Sequence, residues 1–252
     1  MHTAILETKN ITKYFGGIRA LHNVSVRVEK GTVTGIIGPN GAGKTTLFKI
    51  IAGFLKPTTG VVLFEGERID GRPPHIIALK GIAFTFQVPR GLPKMTILDN
   101  IVAALGAPLY RGVDFIRLRV SGDITSRAYE IARRVGLEDY VERLAEELPL
   151  GLQKRLEIAR ALALEPKLLM LDEPAAGMSV EEADELKELL RSLNKSGVTI
   201  MLIEHNVPFA LDLSDYMYVL HYGEVLAEGK PEEVVADKKV IEAYLGAGYA
   251  RG

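Results

Sequence analysis

Short runs of β-branched and aliphatic residues punctuate this chain at residues 24–28, 33–37, 61–64, 168–171, 199–203 and 217–220. Each has the length and composition of a buried strand. Between several of them apolar positions return at helical spacing, at residues 44–54, 152–164 and 180–195. Strand and helix alternating in this way predict an α/β domain with a largely parallel sheet. Ser179 followed three residues later by Glu182 marks a capping box at the start of the third helix, and Gly197 can take the left-handed backbone that ends it. Residues 94–150 differ in texture, with helical patterns at 97–104, 126–135 and 140–147 and a Pro- and Gly-containing stretch at 106–112. They read as a helical subdomain inserted into a core made of residues 1–93 and 151–252, within one domain. There is no internal repeat and no low-complexity segment.

One junction between a strand and a helix carries chemistry. Gly38-Pro39-Asn40-Gly41-Ala42-Gly43-Lys44-Thr45 fits the phosphate-binding loop pattern, following the run at 33–37 and opening the helix at 44–54. Small residues let the backbone wrap close enough to aim N–H groups at phosphate oxygens, at the positive end of a helix dipole. Lys44 then reaches the β- and γ-phosphates, and the Thr45 hydroxyl ligates Mg²⁺. Such chemistry also needs a carboxylate at the end of a buried strand. The apolar run at 168–171 ends abruptly in Asp172 and Glu173, which puts both acids at the strand's carboxyl edge, where open α/β sheets bind ligands. Asp172 is the expected Mg²⁺ partner and Glu173 the general base for an attacking water. These residues together predict a Mg-dependent nucleoside triphosphatase. The plainer alternatives are a glycine-rich turn and a solvated acidic turn.

Composition narrows the classes further. The chain has 252 residues, 47% apolar and 25% charged, enough for a sizeable core, and its formal net charge of -1 gives no footprint for nucleic acid. Cysteine is absent, which excludes disulfides and thiolate metal sites, and the five histidines lack zinc-ligand spacing. Residues 1–10 carry His2, Glu7 and Lys9 and do not form the apolar core of a secretory signal. Apolar stretches such as 47–55, broken by Lys49, fall short of the ~18 residues that span a bilayer. A cytoplasmic location is expected, with no direct membrane insertion, so that membrane contact passes through a partner protein.

Further motifs resemble one family. Gln87 after Phe84-Thr85-Phe86, the segment Leu156-Glu157-Ile158-Ala159-Arg160-Ala161-Leu162, Asp172-Glu173-Pro174, and His205 after Ile203-Glu204 occur in the order found in ATP-binding subunits of ATP-binding cassette transporters. The resemblance covers nearly the whole chain. It implies a P-loop NTPase fold of the cassette type, with a mainly parallel core sheet, an antiparallel β subdomain and the inserted helical subdomain. It implies ATP and Mg²⁺ as ligands. Gln87 becomes the lid glutamine that reaches Mg²⁺ and water, and His205 the switch histidine near the γ-phosphate. Gly38, Pro39, Asn40, Gly41, Ala42, Gly43, Lys44, Thr45 and Thr46 hold the phosphates. Phe15, in the pair Tyr14-Phe15, matches the adenine-stacking aromatic, against the alternative of ordinary core. Glu173-Pro174-Ala175-Ala176-Gly177-Met178, Ile203-Glu204-His205-Asn206 and Val240-Ile241-Glu242-Ala243-Tyr244-Leu245-Gly246 resemble importers of branched-chain amino acids. Urea or lipopolysaccharide transport, soluble cassette ATPases of translation or repair, and a regulatory module that no longer turns over remain alternatives.

One segment departs from the family. The signature, usually Leu-Ser-Gly-Gly-Gln, is replaced by Leu148-Pro149-Leu150-Gly151-Leu152, with Gln153 one residue late, and Ser179 stands where an aspartate is usual. In the family this signature binds the γ-phosphate held by the opposite subunit. Gly151 keeps a backbone donor at a helix start, but the serine hydroxyl is lost. A paralogous partner with an intact signature is therefore expected, in a heterodimer that lies on the inner face of the membrane against transmembrane permease subunits. The alternative is a homodimer that tolerates the change.

Overall fold

A computed structural model describes residues 3–87, 91–106 and 122–245. The chain opens with a long hairpin, β1 (Ala4–Phe15) and β2 (Ile18–Glu29), followed by β3 (Val33–Ile37) and helix α1 (Lys44–Ile51). Strands β4 (Thr59–Phe64) and β5 (Glu67–Arg68), helix α2 (Pro74–Leu79) and β6 (Ile82–Thr85) come next. Among the described residues helices α3 (Ile97–Gly106), α4 (Gly122–Arg134) and α5 (Leu150–Leu162) follow. Then come β7 (Leu168–Asp172), α6 (Val180–Lys195), β8 (Thr199–Ile203), α7 (Val207–Leu213), the hairpin β9 (Tyr216–His221) and β10 (Glu224–Gly229), and helices α8 (Pro231–Ala236) and α9 (Lys238–Leu245).

The strands form two sheets. One has the order β10-β9-β3-β8-β7-β6 and is parallel except for the edge strand β10. Its strands β3, β7 and β8 are buried at every position, as a sheet covered on both faces requires. The other is antiparallel, in the order β2-β1-β4-β5. Helix α1 joins them, burying Leu47, Phe48, Ile50 and Ile51 in a cluster with Leu6, Ile11, Val62, Phe64 and Ile36. Each such side chain contributes roughly 1.5–3 kcal/mol by leaving water. A second cluster packs α3, α4, α5 and α6 against the opposite side of the large sheet, through residues such as Ile101, Ala128, Ile158, Leu186 and Leu202.

The α/β class and the six anticipated strands stand as read, and the Ser179–Glu182 capping box is complete on both sides. Gly197, with φ +102°, follows the end of α6. Two differences have physical causes. Helix α1 stops at Ile51 rather than 54, because Gly53 turns left-handed (φ +80°) where the chain passes close to the Arg72 carbonyl. Residues 140–147 do not form an α-helix. Their backbone pairs with the start of α3 instead, through Ile97 N–H to Arg143 O and Ala145 N–H to Met95 O, leaving only two 3₁₀ turns, Glu138–Tyr140 and Ala145–Glu147. Strands β1, β5, β6 and β10 also emerge where no strand is expected. Of the stretch 106–112, Gly106 alone lies within the described residues, and His2 and Gly246 lie outside them.

Candidate active site

Sheet order sets the site. Because β3, β8 and β7 are adjacent and parallel, the segments leaving their carboxyl ends meet at one edge: the loop after β3, Glu204-His205 after β8, and Asp172-Glu173 where β7 ends. The loop from Gly38 to Gly43 depends on glycine at its two ends. Gly38 (φ +150°) has no room for a Cβ against the Leu220 carbonyl. At Gly43 (φ +99°) a Cβ would sit 2.6 Å from Leu21 Cδ2 and 2.7 Å from the Ala20 oxygen. Gly43 also begins α1 with no side-chain cap, so the first N–H groups of that helix are left to face the site.

A cavity of about 600 Å³ opens there, lined by Ala20, Asn40, Gly41, Ala42, Gly43, Lys44, Thr45, Thr46, Gln87, Glu173 and His205. Lys44 is buried and donates to the carbonyls of Gly38 (2.6 Å) and Pro39 (3.0 Å), so its ammonium is held at the loop's inner rim. Burial lowers its pKa, and the nearby Glu173 and Asp172 carboxylates oppose that shift. Gln87, Glu173 and His205 form a chain across the cavity: Gln87 Nε2 donates to Glu173 Oε2 at 2.6 Å, and His205 Nε2 lies 2.6 Å from Glu173 Oε1. Glu173 itself has left-handed backbone (φ +52°), fixed by its N–H bond to the Ile203 carbonyl.

Asp172, 4% exposed, lies behind this chain. Burial, followed by the adjacent Glu173, pushes its carboxyl up to about 6, against the pull of Lys49, Lys154 and Lys44. Its Oδ1 is buried without a hydrogen-bond partner among the described residues. A buried carboxylate oxygen with a free lone pair at the end of β7, together with Thr45 in the cavity lining, fits a hard divalent cation. No group of three or more His, Cys, Asp or Glu able to hold a metal occurs among the described residues. A cation here would take the Asp172 carboxylate and the Thr45 hydroxyl, with Gln87 as the further protein candidate, and its remaining ligands would come from phosphate and water, the manner suited to Mg²⁺.

Of the candidates read from the sequence, Phe15, Gly38, Pro39, Gly151 and Asp172 are not among the residues that line the cavity. Phe15 ends β1 and is 45% exposed, with the Lys13 ammonium 5.1 Å from its ring centroid. That exposure rules out the plain core role, and Phe15 stands at the turn of the same β1–β2 hairpin whose second strand carries Ala20. Gly151 sits in the first turn of α5, behind Pro149, which is the helix N-cap and offers no side-chain bond. Gln153 does not substitute for the missing signature glutamine, since its amide donates to the Leu148 carbonyl at 2.8 Å. The Ser179 hydroxyl is occupied as the cap of α6. Two buried charges escaped the sequence reading. Glu204 accepts from the N–H groups of Ala175 (2.8 Å), His205 (3.1 Å) and Asn206 (3.3 Å), which braces the turn carrying His205, and burial raises its pKa against those bonds. Lys154, on α5, reaches the same neighbourhood. A charged residue within an apolar strand or helix pattern is the one signal that marks either.

Residues 21–176 match the family described as ABC transporter, and residues 224–250 match one described as branched-chain amino acid ATP-binding cassette transporter. A probable branched-chain amino acid transport ATP-binding protein, LivG, from Archaeoglobus fulgidus is 40% identical over 246 residues, 96% of each chain. A crystal structure of an ATP-binding cassette of an ABC transporter in its ADP conformation superposes with TM-score 0.86 at 37% identity, covering 97% of this chain and 99% of that one. A dimeric post-hydrolysis cassette bound to ADP and Pi gives TM-score 0.78 at 30% identity, over 90% of this chain and 98% of that one. With a phosphate loop, a strand-end carboxylate pair and this likeness along almost its whole length, the chain belongs to the ATP-binding cassette transporter family, as an ATPase of its branched-chain amino acid group.

Proposed function

We propose that this chain powers import of branched-chain amino acids by hydrolysing Mg-ATP, as one ATPase of an unlike pair held on the inner, cytoplasmic face of a membrane by permease subunits. The observation that carries the hydrolytic part is the convergence of Gln87, Glu173 and His205 on the cavity bounded by the phosphate loop. The N–H groups of the loop from Gly38 to Thr46, Pro39 excepted, and the Lys44 ammonium bind the phosphates, and the half-exposed Phe15 ring stacks on adenine. Thr45, Asp172 and Gln87 would hold Mg²⁺, which neutralises charge on the β- and γ-phosphate oxygens. Glu173 accepts a proton from the attacking water through an oxygen released from Gln87 or His205, and His205 turns to the γ-phosphate. No covalent intermediate with the protein is required, so positioning supplies most of the rate.

Among the described residues no helix is long and apolar enough to cross a membrane. Energy leaves through contacts with permease subunits, for which helices α3 and α4 and the Gln87 turn are the natural site. The unlike pair is favoured by Pro149 and Leu152, and by Gln153 being engaged with its own backbone. The family likeness of residues 224–250 and of the full chain supports the cargo class.

The test is uptake of leucine, beside urea as a control cargo, into proteoliposomes holding the permease subunits of a branched-chain amino acid importer together with this chain and a paralogous ATPase. ATP-dependent uptake of leucine that requires both this chain and its paralogue supports the reading. Uptake of the control alone, or full activity without the paralogue, refutes the corresponding part.

A further inference from the structure

Lys154 projects from the second turn of α5 into the protein and is 5% exposed. Its ammonium donates to two main-chain carbonyls on different segments, Gln87 O at 2.6 Å and Glu173 O at 3.1 Å. The same two residues are joined by their side chains, Gln87 Nε2 to Glu173 Oε2 at 2.6 Å. The three bonds close a ring, so that lysine fixes the backbones of the two groups while their amide and carboxylate face each other. Removing an ammonium from water is expensive, and burial does lower the pKa of Lys154. The carboxylates of Glu204, Glu173, Asp172 and Glu157 face it and favour its charged form. An apolar side chain of similar length would fill the same space at less cost. The charge is therefore not explained by packing. Glu173 in addition holds left-handed backbone, which a residue with a side chain keeps only when its surroundings fix it.

We propose that Lys154 is a positioning residue for hydrolysis, tying the Gln87–Glu173 pair to helix α5 so that the pair stands in hydrolytic register only while α5 is seated. This rests on the reading of Glu173 as the base. Helix α5 begins at the altered signature, the segment that faces the opposite subunit's nucleotide in the proposed pair. A shift of α5 on pairing or release moves both carbonyls together through one side chain. A displacement of about 1 Å in such groups lowers a rate by roughly 100-fold.

The test compares the purified full chain with Lys154→Met and Lys154→Arg, reading kcat, KM, Mg-ATP affinity and thermal melting. Hydrogen exchange at the Glu173 amide, which bonds the Ile203 carbonyl, is read in parallel without nucleotide. Lys154→Met should bind Mg-ATP within about threefold of wild type, lose about 10- to 100-fold in kcat with KM little changed, and exchange faster at Glu173. Lys154→Arg should restore most of kcat, and Lys154→Met should add less than about threefold to the loss in a Gln87→Ala background. Unchanged kcat in Lys154→Met overturns the proposal. So does a joint fall of melting, affinity and kcat that arginine does not rescue, since that marks a merely structural lysine. If wild type alone does not hydrolyse ATP, the ATPase reading fails only when Mg-ATP also stays uncleaved with a cassette of intact signature supplied as its partner. Exchange at Glu173 then decides alone, with acceleration in Lys154→Met supporting the proposal and no change overturning it.

Discussion

Pro149→Ser should raise ATP hydrolysis by this chain paired with itself while leaving its stability nearly unchanged. Pro149 is the N-cap of α5, with φ -56° and ψ 157°, and makes no side-chain cap bond. A serine there can accept an N–H from the first turn of the helix, worth about 1 kcal/mol. Losing the proline ring frees the unfolded chain and costs about 0.4–1 kcal/mol. The two nearly cancel, and for a chain of this size the remainder shifts Tm by less than about 2 °C. The same hydroxyl can donate its hydrogen to the γ-phosphate of the opposite subunit. A hydrogen bond to a charged group contributes about 1.5–3 kcal/mol, hence about 10- to 100-fold in rate if the bond tightens in the transition state. Phosphate release at saturating Mg-ATP, followed over a range of chain concentrations, separates the effects, because the gain requires pairing and the cap does not. An unchanged Tm with a rate within twofold of wild type would refute the reasoning that the lost hydroxyl limits turnover.

Two other substitutions test the loop and the strand-end acid. Gly43→Ala places a methyl 2.6 Å from Leu21 Cδ2 and 2.7 Å from the Ala20 oxygen, so it should lower Tm and abolish nucleotide binding. Gly41→Ala, with φ +80° and open space around it, should cost only the left-handed strain of about 1–2 kcal/mol. Equal melting losses in the two variants would contradict this. Asp172→Asn removes a buried carboxyl whose pKa is raised to about 6. Such a group adds stability below its unfolded value near 4 and loses it as pH rises through about 6. The variant without nucleotide should therefore melt above wild type at pH 7 and lose that advantage at pH 4, while Mg-ATP no longer raises its Tm. An advantage that is the same at both pH values would rule out Asp172 as its source.

Chemistry at this site is legible where it is local in the chain. Glycines at 38 and 43, followed by Lys44 and Thr45, state a backbone need that a neighbouring carbonyl enforces. The abrupt end of an apolar strand in Asp172 and Glu173 puts both acids at the sheet edge. Other features were hidden because their causes are distant. Strand β1 carries Asn10 in left-handed backbone with register shifts around it, which breaks the alternation that would have marked it as a strand. Residues 140–147 have a helical pattern, yet pairing with the start of α3 outcompetes local propensity. Lys154 and Glu204 look like ordinary surface charges in one dimension. The sequence marks each only as a charge against an apolar pattern, and that Lys154 bonds Gln87 and Glu204 bonds Ala175 is revealed by the fold.

The most direct measurement is Mg-ATP hydrolysis by the purified chain beside Glu173→Gln, with bound nucleotide identified in each. Loss of a general base lowers turnover by about 10²- to 10⁴-fold. Glu173→Gln is expected to retain ATP uncleaved in a paired form while wild type releases ADP and phosphate. A Glu173→Gln chain that hydrolyses as fast as wild type would contradict the assignment of Glu173 as the base and the hydrolytic geometry built around it.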